Sequence, residues 1–225
     1  MEIQVIAHIH NDFKEKFGIP RQSGITENLV SEIVFTPQYR SSDAIRGLDG
    51  YSHIWVIWQF SENIRNVYSP TVRPPRLGGN KKMGVFATRS PFRPNPLGLS
   101  SLKLLGIRRD KNLGAVLLVS GADLLDGTPI YDIKPYLKYT DSHPDAIGGF
   151  ADDCLDYKLS VDFPAEMAEN FDEGTLRDLR TILENDPRPS YQNDASRDYA
   201  MRFGNFDIHF KVCEKLLTVT KITRN

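Results

Sequence analysis

Two cysteines, Cys154 and Cys213, are all that this chain of 225 residues holds, so no disulfide framework supports the fold and no CxxC metal knuckle exists. A reducing compartment suits that composition, with the thiols read as small buried hydrophobes. Histidine is scarce as well. His8, His10, His53, His143 and His209 show no metal-ligand spacing beyond His8 and His10, which would share one face of a strand; two ligands are not a site, and no metal is expected. GxxxxGK[ST], GxGxxG after a strand, HExxH and GxSxG are all absent, which argues against P-loop, Rossmann, zincin and α/β-hydrolase chemistry. No apolar run approaches the roughly 20 residues of a membrane helix. The opening MEIQVIAHIHNDFKEKFG lacks a basic region followed by a long apolar one, so a cytoplasmic protein is expected.

The most informative lack is of negative charge. Residues 63–109 contain no Asp or Glu but ten Lys and Arg, whereas evenly solvated surfaces mix both signs. The chain as a whole is near neutral at −1, yet residues 1–145 carry 18 Lys and Arg against 14 Asp and Glu, and residues 146–225 carry 10 against 15. Positive charge concentrated in one stretch points to an anionic partner.

With 40% apolar and 25% charged residues the chain is an ordinary globular one. Its first 140 residues read as short strands, rich in β-branched and aromatic residues, between turns. The strands expected are 3–9, 32–35, 51–60, 83–87, 99–107, 115–119 and 129–133. Twelve of the sixteen glycines and ten of the fourteen prolines fall in this part, which suits a mainly β fold, a closed or partly closed barrel, better than a doubly wound α/β sheet. After Gly148-Gly149 the texture changes. Residues 164–184 read as a helix opened by Pro164 and weakened by Gly174, and 205–213 with 216–222 as a closing hairpin. The expected organisation is a β-barrel domain at 1–145 and a small α+β domain at 146–225.

Four segments carry chemistry. In GVFATRSPFRPNPLGLS, residues 84–100, Pro91, Pro94 and Pro96 fix φ and present Arg89 and Arg93 from a stiff loop; a plain connector between strands is the competing reading. TVRPPRLGGNKKMG, residues 71–84, spreads Arg73, Arg76, Lys81 and Lys82 around prolines and glycines. That pattern suits phosphate contacts, and Tyr68, Phe86 and Phe92 are aromatics able to stack on unpaired bases. RNA fits better than a membrane, since no amphipathic helix accompanies the charge. In LLDGTPIYDIKPY, residues 124–136, Asp126-Gly127 makes a turn whose carboxylate either orients a ligand or caps the turn. KFGIPRQSG, residues 16–24, is a Gly/Pro loop with Arg21 and Gln22.

These segments, with IRGLDGYSHIWVIWQF at 45–60 and DPRPSYQ at 186–192, resemble those of the tRNA methyltransferase O family, also called TsaA-like or VirR-like proteins. The resemblance runs along most of the chain. It implies a β-barrel methyltransferase that uses S-adenosylmethionine, and activity on tRNA at N6 of N6-threonylcarbamoyladenosine beside the anticodon. It also implies a homodimer whose cofactor pocket draws on both subunits. By that resemblance the cofactor contacts are Pro20, Arg21 and Gln22, Ser61 and Glu62, Arg89 and Leu99, and Asp126, Gly127, Thr128 and Pro129. The family often has His where this chain has Ser61, a shorter side chain that neither stacks nor carries charge. DPRPSYQ is expected to help hold the modified base. Arg73, Arg76, Lys81, Lys82 and Arg93 are expected to receive the phosphates of the anticodon stem-loop. No residue is assigned as a general base; Asp126 is a candidate by location alone. Two readings from other classes stay open: a tRNA-binding module without catalysis, and a methyltransferase acting on a small molecule.

Overall fold

Alternation decides the first half of the fold. In HIWVIWQ, residues 53–59, the side chains of Ile54, Val56 and Trp58 are buried while their neighbours are only half covered, the period of two of a strand with one face on a core. The computed structural model describes residues 2–63, 67–77, 81–154, 157–188, 192 and 194–225, and all of their side chains except those of Asn63, Arg76 and Cys154.

The first part consists of strands β1 (Ala7–His10), β2 (Val30–Phe35), β3 (His53–Gln59), β4 (Thr71–Val72), β5 (Met83–Gly84), β6 (Leu97–Asp110), β7 (Gly114–Ser120) and β8 (Pro129–Pro135). Six of these form one antiparallel sheet in the order β1-β2-β7-β6-β3-β8, and β8 pairs back onto β1 through Ala7↔Ile130 and His8↔Pro129. The sheet therefore closes on itself and leaves no long edge for pairing with another chain. Ile9, Ile33, Ile54, Leu102, Leu117 and Ile130 fill its interior. Among the described residues, strands β4 and β5 pair only with each other, as a ribbon that carries the basic segment. The strand expected at 83–87 stops at Gly84 because Val85–Ala87 turns as a 3-10 helix, with Thr88 N–H donating to the Val85 carbonyl at 3.2 Å.

Helix α1 (Lys138–Asp141) follows the closed sheet, and the second part runs β9 (Ser160–Asp162), α2 (Ala165–Ala168), α3 (Glu173–Glu184), β10 (Tyr199–Phe203), β11 (Phe206–Cys213) and β12 (Leu216–Arg224). Its sheet has the order β10-β11-β12-β9. The closing hairpin expected from sequence is β11–β12. The single helix expected over 164–184 is two helices, and the break is not at Gly174: Asp172 caps α3, its carboxylate accepting from Thr175 N–H at 3.0 Å. Gly174 instead allows a close approach, since a Cβ there would lie 3.1 Å from Cβ of Asn28. Cys213 is exposed at the end of β11, which corrects the expectation of a buried thiol for that residue.

Two apolar cores result, and the second reaches back across the sequence. It contains Met201, Ile208, Phe210 and Leu217 together with Leu179 and Leu183 of α3, but also Phe13 and Leu29, with Phe17 and Ile19 packed against it. Asp178 of α3 holds that connection. Its carboxylate accepts from the backbone N–H groups of Glu27, Asn28 and Leu29 and from the Asn28 amide.

Candidate active site

The segment 13–29 that packs on the second core also forms one wall of a cavity of about 790 Å³ beside β3 and β6. Two glycines seat it there. Gly18 has φ +93° and faces Met201, and Gly24 has φ +80° and approaches Gly121 so closely that a Cβ on Gly121 would lie 3.1 Å from its Cα. Pro20, Arg21 and Gln22 lie between these glycines and line the cavity. Arg21 also donates from Nη2 to the backbone carbonyls of Asp186 and Arg188, at 2.8 Å each.

The opposite wall is the stiff loop. Arg89 Nη1 donates to Gln22 Oε1, joining the two walls. Arg93 lines the same cavity but is braced within its own loop, Nη1 donating to the Thr88 carbonyl at 2.8 Å. Thr88 in turn donates from its hydroxyl to the Val85 carbonyl at 2.9 Å. The structure thus sets Arg93 apart from Arg73, Lys81 and Lys82, which are exposed on and beside the β4–β5 ribbon. The side chain of Arg76 lies outside the described residues, as do Pro189, Ser190 and Tyr191 of the 186–192 segment. Of the aromatics offered for stacking, Phe86 is 72% and Tyr68 52% exposed, while Phe92 is half-buried.

The floor comes from β3 and β6. Trp58 and Gly98 are cross-strand partners, and a Cβ at residue 98 would lie 2.2 Å from the indole, so the strand pair holds Trp58 only because residue 98 is glycine. Trp58 Nε1 donates to Ser100 Oγ at 2.9 Å, and Ser100 Oγ donates to Asp123 Oδ1 at 2.6 Å. Phe60 packs on Trp58 with ring centroids 4.3 Å apart. Ser61, Glu62, Leu99 and Thr128 also line the cavity, and the Glu62 carbonyl accepts from Lys16 Nζ at 2.7 Å.

Asp126, Gly127 and Pro129 do not line this cavity. Asp126 Oδ1 accepts from Asn11 N–H at 3.0 Å, and its Oδ2 lies 2.9 Å from Lys14 Nζ. Burial pushes the Asp126 carboxyl up, but the hydrogen bonds and charge of Lys14, Asn11 N–H and nearby His10 outweigh it, and the net direction is down. A carboxylate held ionised in that way is a poor proton acceptor. Gly127 has φ +78° and its N–H donates to the Ile9 carbonyl at 2.8 Å, fixing the turn that delivers Thr128 to the cavity.

Sequence reasoning missed Asp123. Its half-buried carboxylate lines the cavity, and burial raises its pKa above the ordinary value, opposed by the Ser100 hydroxyl, the backbone N–H groups of Asp123 and Ser23, and the charge of Arg89. The available signal was an acid standing between Ala122 and Leu124 in an otherwise apolar run. Among the described residues no group of three or more His, Cys, Asp or Glu could hold a metal.

The same stretches that wall this cavity match known proteins. The model of the tRNA-methyltransferase O N-terminal domain matches residues 8–142, and that of the TrmO C-terminal domain residues 156–225. The chain is similar to tRNA (adenine(37)-N6)-methyltransferase of Escherichia coli K12, at 38% identity over 222 residues, 95% of this chain and 94% of that protein. It is also similar to a putative S-adenosylmethionine-dependent methyltransferase, RcsF, of Pseudomonas aeruginosa, at 36% identity over 92% of this chain and 91% of that protein. A crystal structure of TrmO from P. aeruginosa superposes with a TM-score of 0.79 at 30% identity, covering 100% of this chain and 97% of that one. Both halves are thus matched in order, in sequence and in fold, and the chain belongs to the tRNA-methyltransferase O family.

Proposed function

We propose that this chain transfers the methyl group of S-adenosylmethionine to N6 of adenosine 37 in tRNA, with N6-threonylcarbamoyladenosine as the modified base. The observation that carries the reading is the cavity itself. A space of about 790 Å³ falls within the roughly 300–1,000 Å³ of small-molecule sites, and its wall chemistry fits the cofactor. Trp55, Trp58 and Phe60 supply aromatic surface for a purine, Arg21 and Arg89 positive charge for a carboxylate, and Glu62 negative charge for an ammonium. Bound S-adenosylmethionine supplies a methyl group already activated on a sulfonium, so this chain's residues need chiefly to align sulfur, methyl and N6 and to exclude water.

Pro20, Arg21, Gln22, Ser61, Glu62, Arg89, Leu99 and Thr128 are assigned to the cofactor, a set supported by their common cavity. Asp126, Gly127 and Pro129 are assigned to the cofactor site of a second copy in a homodimer. That assignment is supported by their position outside the cavity of their own chain and by the exposure of Leu99 and Phe86 at 56% and 72%, apolar surface that a second subunit would cover. The closed six-stranded sheet is read as the family's barrel, in a domain spanning 1–145, with 146–225 as a substrate-handling domain in a cytoplasmic enzyme. Arg73, Arg76, Lys81 and Lys82 are assigned to anticodon stem-loop phosphates, and Arg93, braced on Thr88, to shaping the loop.

Incubation of the protein with labelled S-adenosylmethionine and tRNA, followed by mass spectrometry of the nucleosides, tests the reading. Label in methylated N6-threonylcarbamoyladenosine is the expected result; label on other nucleosides alone, or on none, refutes it. Transfer to a small molecule with tRNA untouched would select the small-molecule reading instead.

A further inference from the structure

Methyl transfer to N6 releases a proton, because the nitrogen begins with one hydrogen and ends bonded to the methyl carbon. That nitrogen is flanked by the carbamoyl group, is amide-like, and is a weak nucleophile, so a positioned base has a role to fill. Four carboxylates come into question. Glu62 lies at the cavity's edge, exposed. Asp126 is held ionised by Lys14 and lies outside the cavity. Asp12 is also outside it, beside Gly204. Asp123 alone of the four is both sheltered and on the cavity wall.

We propose that Asp123 is the catalytic base of this chain's methyl transfer, accepting the N6 proton as the N–C bond forms and the S–CH3 electron pair returns to sulfur. The proposal rests on the methyltransferase reading above and deepens it. Its geometric support is the directed chain Trp58 to Ser100 to Asp123. An indole N–H only donates, so at 2.9 Å from Trp58 Nε1 the Ser100 oxygen must be the acceptor. The single hydroxyl proton of Ser100 is then committed to Asp123 Oδ1 at 2.6 Å. This bond favours the carboxylate form and fixes the orientation of the group, and it leaves the remaining lone pairs as the place where a proton arrives.

The groups facing Asp123 come from each element around it. Ser100 reaches it from β6, and the Ser23 N–H from the 18–24 segment; the charge of Arg89 reaches it from the stiff loop. Lys16, Arg21, Glu62 and Arg93 share the cavity. Burial favours proton uptake and prevails, while Ser100 and Arg89 favour the ionised form, the opposed pair of influences that a general base needs. The electron balance is complete: N6 gains the methyl carbon, sulfur regains its pair as the thioether, and Asp123 leaves as the carboxylic acid until solvent removes the proton.

The test uses the full chain, S-adenosylmethionine and tRNA bearing N6-threonylcarbamoyladenosine, with single-turnover rates measured across pH. For the native protein the rate should rise with pH as one carboxyl ionises and then level. Asp123→Asn should lower the plateau by about 10²–10⁴-fold and abolish the rise, with affinities for cofactor and tRNA held within about threefold. Asp123→Glu should recover part of the rate. Ser100→Ala, which keeps the base but removes its hydrogen bond, should move the midpoint of the profile to higher pH, a change that a merely structural residue would not produce. An Asp123→Asn rate within fivefold of native with an unchanged profile overturns the proposal. So does a loss of cofactor affinity as large as the loss of rate, which would make Asp123 a binding group. A native protein that methylates no tRNA refutes the proposed function instead, a result distinct from either.

Discussion

Gly98 and Trp58 occupy adjoining strands so closely that a Cβ at residue 98 would lie 2.2 Å from Cε2 of the indole. Gly98→Ala therefore forces Trp58 out of its place, breaks its hydrogen bond to Ser100 and reshapes the cavity floor. Stability should fall by about 1–3 kcal/mol, and S-adenosylmethionine affinity by tenfold or more. Calorimetry and urea denaturation read both. Unchanged cofactor affinity would show that the floor does not contact the ligand.

Asp178 gathers the backbone N–H groups of Glu27, Asn28 and Leu29 and the Asn28 amide onto one carboxylate. Asp178→Ala leaves the buried Leu29 N–H and the part-buried donors of Glu27 and Asn28 without their acceptor. A loss of about 3 kcal/mol is expected, measured by chemical denaturation, with Asp178→Asn losing less because one acceptor oxygen remains. If the alanine variant unfolds at the native midpoint, the segment 27–29 is not held in this way.

Lys81 and Lys82 stand exposed beside the β4–β5 ribbon, away from the cavity lining. The double change to alanine should weaken tRNA binding and reduce the slope of log affinity against log salt by about 1.4–1.8, each phosphate contact contributing about 0.7–0.9. Cofactor affinity should not move. An unaltered salt slope would remove these lysines from the tRNA interface.

Asp186 pairs with the buried Arg188 guanidinium at 2.9 Å and accepts from the Tyr157 hydroxyl at 2.9 Å. Burial alone would raise its pKa, but Arg188 and Tyr157 win, and it lies below the ordinary 3.8. A folded-state pKa below the unfolded one adds stability above the unfolded value, and that stability drains away as pH falls through the folded value. Asp186→Asn should therefore cost about 3 kcal/mol at pH 7, and the gap to the native protein should narrow below about pH 4. Asparagine tolerates the left-handed backbone at this position, φ 52°, so the substitution adds no backbone strain. A gap as wide at pH 3 as at pH 7 would contradict the assignment.

What the sequence made legible was local. Strand β3 announced itself through HIWVIWQ, and β11–β12 through alternation on either side of Glu214-Lys215. Strand β9, three residues long, is too short for a period to register. Phe13, Phe17 and Leu29 are plainly apolar, but apolarity does not say which of two cores receives a side chain. The site followed the same rule. Pro20, Gln22, Arg89 and Leu99 belong to recognisable motifs, and they surround one cavity. Asp123 stands in the sequence as one acid in an apolar run, and its partner is visible only when the fold brings Ser100 to it from 23 positions away. Arg93 and Lys82 look alike as cations in an acid-free stretch; one braces a carbonyl of its own loop and the other stands exposed beside the ribbon, a distinction that charge counting does not contain.

The attachment of segment 13–29 to the second core sets an order of events during synthesis. Once residue 145 has been made, every strand of the closed sheet exists. The anchors for the segment do not: Asp178 for residues 27–29, Asp186 and Arg188 for Arg21, Met201 against Gly18, and Phe203, which bridges to Phe13. A nascent chain paused at that point holds a finished scaffold whose ligand-facing rim is unset. All of these anchors lie in the last quarter of the sequence.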